Sequence, residues 1–261
     1  MILSSVIDVI ENRFQTCYKC DWDNIGLLVG DKEADIKKVY VALDLTDEVL
    51  EHAINYNADL IITHHPLIFK GMKSVTTDDF IGRRVHKLIL NGINYYAMHT
   101  NYDMQAMGEL AGELSGIENM CVLENYFVDA DSEKIGIGVY GSLNENVTVE
   151  EFAQKVKTVF DIEKVKIFGE KNDIINCVAI CPGSGKSVVD CAIAVGADVL
   201  LTGDIDHHTG IDAKAQGLTI IDAGHYGIEH IFIKNMCDFL QQGLSGIEVT
   251  GEPHKEPFFY V

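Results

Sequence analysis

Ala58-Asp59-Leu60-Ile61-Ile62-Thr63-His64-His65-Pro66 decides the fold. A short apolar run that stops at a pair of imidazoles reads as a buried parallel strand delivering polar groups at its carboxyl end, where open α/β sheets bind ligands. A second stretch copies it: Ala197-Asp198-Val199-Leu200-Leu201-Thr202, followed by Gly203-Asp204. Each copy is followed by another polar strand end. In the first this is Met98-His99-Thr100-Asn101-Tyr102-Asp103, and in the second Ala223-Gly224-His225-Tyr226-Gly227-Ile228-Glu229-His230. Two such units facing each other predict a metal pair held between them.

The pattern around both copies is that of parallel strands with crossovers. Leu3, Val6, Ile7, Ile10 and Phe14 form a helical stripe. A strand over 39–43 ends at Asp44, and Thr46 then caps a helix running to about residue 57, with Asp47 and Glu48 in its first turn. A strand over 59–63, a loop over 66–77, a helix to about 91 and a strand over 93–98 complete the first half. The second half repeats the scheme with strands at 174–180, 198–202 and 218–222 and helices at 187–195, 212–216 and 226–240. Between them lie a strand at 135–140, a helix at 148–160 with a Thr148/Glu151 capping box, and a strand at 165–168. The expected fold is therefore α/β, with two similar halves of mostly parallel strands (1–124 and 173–261). A small β-α-β elaboration (125–172) separates them.

Composition narrows the function. Forty acidic against twenty basic residues give a net charge of −20 over 261 residues. Such a chain repels the phosphate backbone and anionic lipid, which argues against nucleic-acid and membrane partners. The seven cysteines are scattered. Cys17-Tyr18-Lys19-Cys20 has no second pair at zinc-ribbon spacing, so it reads as structural. No apolar run approaches the ~18 residues of a membrane span, and the first residues lack the basic start of a signal peptide. A reducing cytoplasm is the expected location.

The chemistry concentrates at the strand ends. Adjacent histidines on a strand-to-turn corner point in different directions, so His64 and His65 can serve two metals. His99 offers a borderline nitrogen and Asp103 a hard oxygen, a mixture that suits Zn, Mn, Fe, Co or Ni better than Ca. His225 and Glu229 are spaced i, i+4 at a helix start and share one face, where the carboxylate could bridge two ions. Gly183-Ser184-Gly185-Lys186-Ser187 imitates a phosphate-binding loop, but Ile180 stands where that motif needs its first glycine. Asp204-Ile205-Asp206-His207-His208 is read either as lying near the site, holding substrate or supporting the ligands, or as a solvated helix start. No Gly-x-Ser-x-Gly elbow is present, which disfavours a serine hydrolase.

At these residues the chain resembles the dinuclear metal-binding family of GTP cyclohydrolase 1 type 2 homologues, also called NGG-interacting-factor-like proteins, in its short form. The resemblance rests on Trp22-Asp23-Asn24-Ile25-Gly26-Leu27-Leu28-Val29-Gly30, Ile62-Thr63-His64-His65-Pro66-Leu67-Ile68-Phe69, His99-Thr100-Asn101-Tyr102-Asp103, Thr202-Gly203-Asp204 and Asp222-Ala223-Gly224-His225-Tyr226-x-x-Glu229-His230. It implies two divalent metal ions on His64, His65, Asp103, His225 and Glu229, and a toroidal homohexamer as the assembly. Tyr102 replaces the family's usual leucine, and Pro182 stands where a glycine is usual. Both departures bear on the pocket lining rather than on the ligands. The resulting expectation is a metal-dependent hydrolase acting on a small-molecule nucleotide or phosphoester, with His99 or His208 shuttling the proton. The alternative is a non-catalytic metal-binding or scaffold protein that acts through its ring assembly.

Overall fold

The computed structural model describes residues 1–259 and 261. Its strands are β1 (Gly26–Val29), β2 (Lys38–Ala42), β3 (Leu60–Thr63), β4 (Asn94–Ala97), β5 (Glu118–Val128), β6 (Lys134–Thr148), β7 (Lys166–Phe168), β8 (Ile174–Ser184), β9 (Val199–Gly203), β10 (Thr219–Asp222) and β11 (Glu248–Gly251). The chain divides into two compact units, Met1–Tyr102 with Phe232–Lys255, and Asp103–Ile231 with Glu256–Val261. This division cuts the chain at other places than the three segments expected from sequence.

In the first unit a five-stranded sheet has the order β1-β4-β3-β2-β11. β2, β3 and β4 run parallel, β11 joins β2 in parallel, and β1 pairs antiparallel with β4. β3 lies in the middle, and every residue from Leu60 to Thr63 is buried, as a continuous apolar run in a parallel sheet requires. Helix Asp47–Tyr56 forms where the cap predicts: the Thr46 side chain accepts from the Val49 amide, and Asn57 ends the helix in the left-handed conformation.

The second unit holds a six-stranded sheet in the order β5-β6-β8-β9-β10-β7. β8, β9 and β10 are parallel, while β7 pairs antiparallel with β10 and the long β5–β6 hairpin adds antiparallel strands beside β8. The duplication is therefore topological. In both units three sequential parallel strands form the centre, and a preceding short strand closes antiparallel on the third. The helix before that short strand is Leu3–Arg13 in one unit and Val149–Val159 in the other. The second repeat thus opens at the capped helix with its Thr148/Glu151 box, inside the segment read from sequence as a separate elaboration.

Three strands escape the sequence reading. β1 and β11 are only four residues long, and β5 is an edge strand whose mixed burial leaves no clean alternation. The helix expected over 226–240 is two helices, His225–Glu229 and Ile231–Gly243. His230 sits at the break and its ring donates to the Phe160 carbonyl (2.8 Å). Among the described residues no helix is long and apolar enough to cross a membrane.

Candidate metal centre

In the first unit the carboxyl ends of β2, β3 and β4 deliver Asp44, His64-His65 and His99 in turn. The corner is anchored by backbone: the His64 amide donates to Ala42 and the His65 amide to Leu43. Tyr95, fully buried on β4, ties down the turn beyond. Its hydroxyl pairs with Thr63 Oγ1 (2.7 Å), accepts from the Leu67 amide (2.8 Å) and donates to the His65 carbonyl (3.1 Å). Burial pushes that phenol up to about 12.

Each imidazole here is held by its Nδ1. His64, itself buried, donates to the Met98 carbonyl at 3.0 Å, His65 to the Asp44 carboxylate at 2.8 Å and His99 to the Asp23 carboxylate at 2.9 Å. A carbonyl or an ionised carboxylate can only accept, so the proton sits on Nδ1 and the ring's lone pair is on Nε2. Metal-binding histidines are oriented in this way, through a hydrogen bond from the other ring nitrogen. The three rings lie together, with centroids 4.9 Å apart for His64–His65, 5.2 Å for His64–His99 and 5.6 Å for His65–His99. One ligand-capable atom from each falls within 4.8 Å of the others.

Asp23 is the best-anchored of the supporting carboxylates. Thr100 donates to it from both its amide (3.0 Å) and its hydroxyl (2.6 Å). Burial alone would raise its carboxyl, but the hydrogen bonds and the charge of His99 and the two bonds from Thr100 outweigh that and hold it at about 2. Thr100 in turn accepts from the Cys20 amide (3.0 Å). The Cys17–Cys20 segment therefore serves the site through its backbone, with Cys17 exposed and Cys20 buried.

In the second unit the corresponding strand ends are Pro182-Gly183-Ser184, Gly203-Asp204 and the helix start at His225. The His225 Nδ1 donates to Asp204 at 2.7 Å, and its Nε2 lies 3.0 Å from Oε2 of the buried Glu229. Asp204 adopts a left-handed backbone (φ 57°), an uncommon conformation that Asp tolerates, and this turns its carboxylate toward the ring. The loop that imitates a phosphate-binding motif is the floor of this pair. Gly183 has φ +80°, and a Cβ there would fall 2.3 Å from Glu229 Oε1 and 3.6 Å from His225 Nε2. Asp103 opens a π-helical turn, Asp103–Met107, a distortion that recurs at functional sites. The buried Cys181 thiol is pushed up by burial first, and then by the charges of Asp103 and Glu229.

Of the residues expected from sequence, His64, His65 and His99 are brought together within one unit, and His225 and Glu229 within the other. His208 lies on the exposed first turn of helix His207–Ala215, its ring 5.3 Å from His207, while Asp206 caps that helix by accepting from the Thr209 amide. Among the described residues no metal-capable cluster includes it. The residues that sequence reasoning missed are two of the aspartates behind the rings, Asp23 and Asp44, whereas Asp204 takes the supporting role expected of its segment. The signal of Asp44 is positional: it follows the first parallel strand of one unit, as Asp204 follows the second parallel strand of the other.

The donor set suits a borderline divalent metal. It combines imidazole nitrogens of fixed tautomer with carboxylate oxygens, and a glycine cradle holds the Glu229 carboxylate. Comparisons with known proteins agree with the fold. The family model for Duf34/NIF3 (NGG1p interacting factor 3) matches residues 1–257. A Clostridium perfringens protein named GTP cyclohydrolase 1 type 2 homolog is 34% identical, with both chains covered in full. Among solved structures, a Bacillus cereus protein related to NIF3 superposes with a TM-score of 0.94 at 24% identity, covering 100% of this chain and 99% of its own, which speaks for the fold alone. A Staphylococcus aureus hypothetical protein reaches a TM-score of 0.90 at 30% identity over the same shares. The chain belongs to the Duf34/NIF3 family.

Proposed function

We propose that this protein is a metal-dependent hydrolase in which His64, His65, Asp103, His225 and Glu229 hold two divalent ions and His99 moves the proton. The observation that carries the reading is the shared orientation of the histidines: every one of His64, His65, His99 and His225 is tied through Nδ1 to an oxygen acceptor, which commits its Nε2 to ligation or proton transfer. When bound, a metal pair supplies Lewis acidity and lowers the pKa of water toward neutrality. The remaining chemistry belongs to side chains. His99 Nε2 is the general base, and the Asp23 carboxylate behind it stabilises the imidazolium that forms, because its own proton affinity is held low. Glu229, buried and backed by Gly183, keeps a fixed carboxylate geometry.

The name of the Clostridium perfringens relative supports a nucleotide substrate and hydrolytic ring chemistry. Ring assembly as a homo-oligomer, implied by the sequence resemblance, is part of this reading. The test is an activity panel of purine nucleotides and phosphoesters on metal-reconstituted protein. Turnover that is lost in His65→Ala and reduced in His99→Gln is expected. Equal background activity in wild type and His65→Ala across the panel overturns the hydrolase.

A further inference from the structure

Trp22 is the only tryptophan of the chain, and more than half of its surface is exposed (58%); beside it Phe69 is 45% exposed. Their ring centroids lie 5.7 Å apart at an interplanar angle of 42°. Two large rings left in water at one place are unusual, since burial is where such side chains contribute most. They are also held there. The Asn24 side-chain amide donates to the Ile68 carbonyl, tying the loop that carries Trp22 to the loop that carries Phe69. Lys19 Nζ donates to the Asp23 carbonyl (2.8 Å), and the Asp23 carboxylate is fixed by His99 and Thr100. The aromatic surface is thus preorganised by the same hydrogen bonds that position the general base.

This surface is continuous with the histidine cluster. The Trp22 and His99 rings meet in a T-shaped arrangement, with centroids 5.9 Å apart and an angle of 67°. A ligand lying against Trp22 and Phe69 therefore presents its edge to the imidazole that is tied to Asp23. A sugar phosphate or an aliphatic ester gains little from such a wall. A flat heteroaromatic ring gains stacking on its face and hydrogen bonding at its edge. Lys70 and Lys73, both exposed and just beyond Phe69, temper the strong acidity of the chain for an anionic tail.

We propose that Trp22 and Phe69 form a stacking platform for a substrate with a planar, nucleobase-like ring, and that the platform turns the reacting edge of that ring toward His99. As a statement about substrate it rests on the hydrolase reading above; as a statement about binding it stands alone.

Because Trp22 is the sole tryptophan, its fluorescence excited at 295 nm reports on the platform directly. Titrations with guanosine and adenosine monophosphate are expected to quench it saturably, while ribose 5-phosphate, which lacks the ring, leaves it unchanged. Phe69→Ala is expected to weaken the binding about tenfold, in the range that base–aromatic stacking supplies, and Phe69→Tyr to stay within about twofold of wild type. Metal content, measured by elemental analysis on the same samples, is expected to be the same in wild type and Phe69→Ala. Absence of saturable quenching, equal quenching by ribose 5-phosphate, or unchanged affinity in Phe69→Ala overturns the platform. Protein that holds metal and hydrolyses substrate but fails these tests refutes the platform alone. Ring-selective quenching in protein that takes up no metal supports the platform and refutes the hydrolase.

Discussion

Replacing Asp204 by Asn isolates the contribution of the carboxylates behind the histidines. The Asp204 Oδ2 to His225 Nδ1 distance of 2.7 Å is that of a charge-assisted bond. Removing the charge leaves an acceptor but weakens its hold on the ring and lowers the basicity of Nε2. Loss of such a supporting partner costs about 10–100-fold in metal affinity. The Asp204 side chain is 55% exposed, so solvent screens part of the effect and the lower end applies: about tenfold, or about 1.4 kcal/mol. Asn is the informative substitution because the backbone here is left-handed (φ 57°) and Asn tolerates that conformation. Ala adds about 1–2 kcal/mol of backbone strain and mixes two effects. The assay is zinc competition against a chromophoric chelator, with urea unfolding as the control for stability. A folded Asp204→Asn protein that binds zinc as tightly as wild type refutes the orienting role.

Tyr95→Phe removes a hydroxyl with three partners and strands the Leu67 amide; a loss of about 1–2 kcal/mol in urea unfolding is expected, together with weaker zinc binding through the loosened His65 turn. Gly183→Ala combines a left-handed backbone with a Cβ 2.3 Å from Glu229 Oε1, so metal uptake is expected to collapse in a protein destabilised by at least about 1–2 kcal/mol; full uptake would show that Glu229 is not held by this cradle. Asp23 is held at about 2 in the folded protein against an ordinary 3.8, so its contribution is present above about pH 4 and disappears as the pH falls toward 2. That contribution is on the order of 2 kcal/mol, and Asp23→Asn is expected to flatten this part of the stability-versus-pH curve, measured by urea midpoints.

The strand ends were legible because a buried parallel strand has few ways to be written. Leu60–Thr63 and Val199–Gly203 are continuous apolar runs, and the histidines and aspartates that follow interrupt them abruptly. Thr46 and Thr148 were legible as caps because the capping hydrogen bonds are local in sequence. Two of the supporting aspartates were not. Asp23 meets His99 across 76 residues and Asp44 meets His65 across 21, and nothing in either neighbourhood carries the other's signature. The start of the second repeat was hidden for a similar reason: β7 has only three residues, and its equivalence to β1 lies in which strand it pairs with. Gly183 was set aside because its loop failed as a phosphate motif, although its φ and its contact with Glu229 explain the glycine without any phosphate. The sequence makes His208 a candidate proton shuttle near the site, but the Asp206 cap starts a helix there and carries the histidine onto an exposed turn.

Elemental analysis of the purified protein, reconstituted with Zn, Mn, Fe, Co or Ni and dialysed, is the decisive experiment on the metal centre. About two divalent ions per chain are expected in wild type, fewer in His64→Ala and in Glu229→Ala, and no change in Phe69→Ala. A wild-type chain that retains none of these metals, or a Glu229→Ala chain with undiminished stoichiometry, would contradict it.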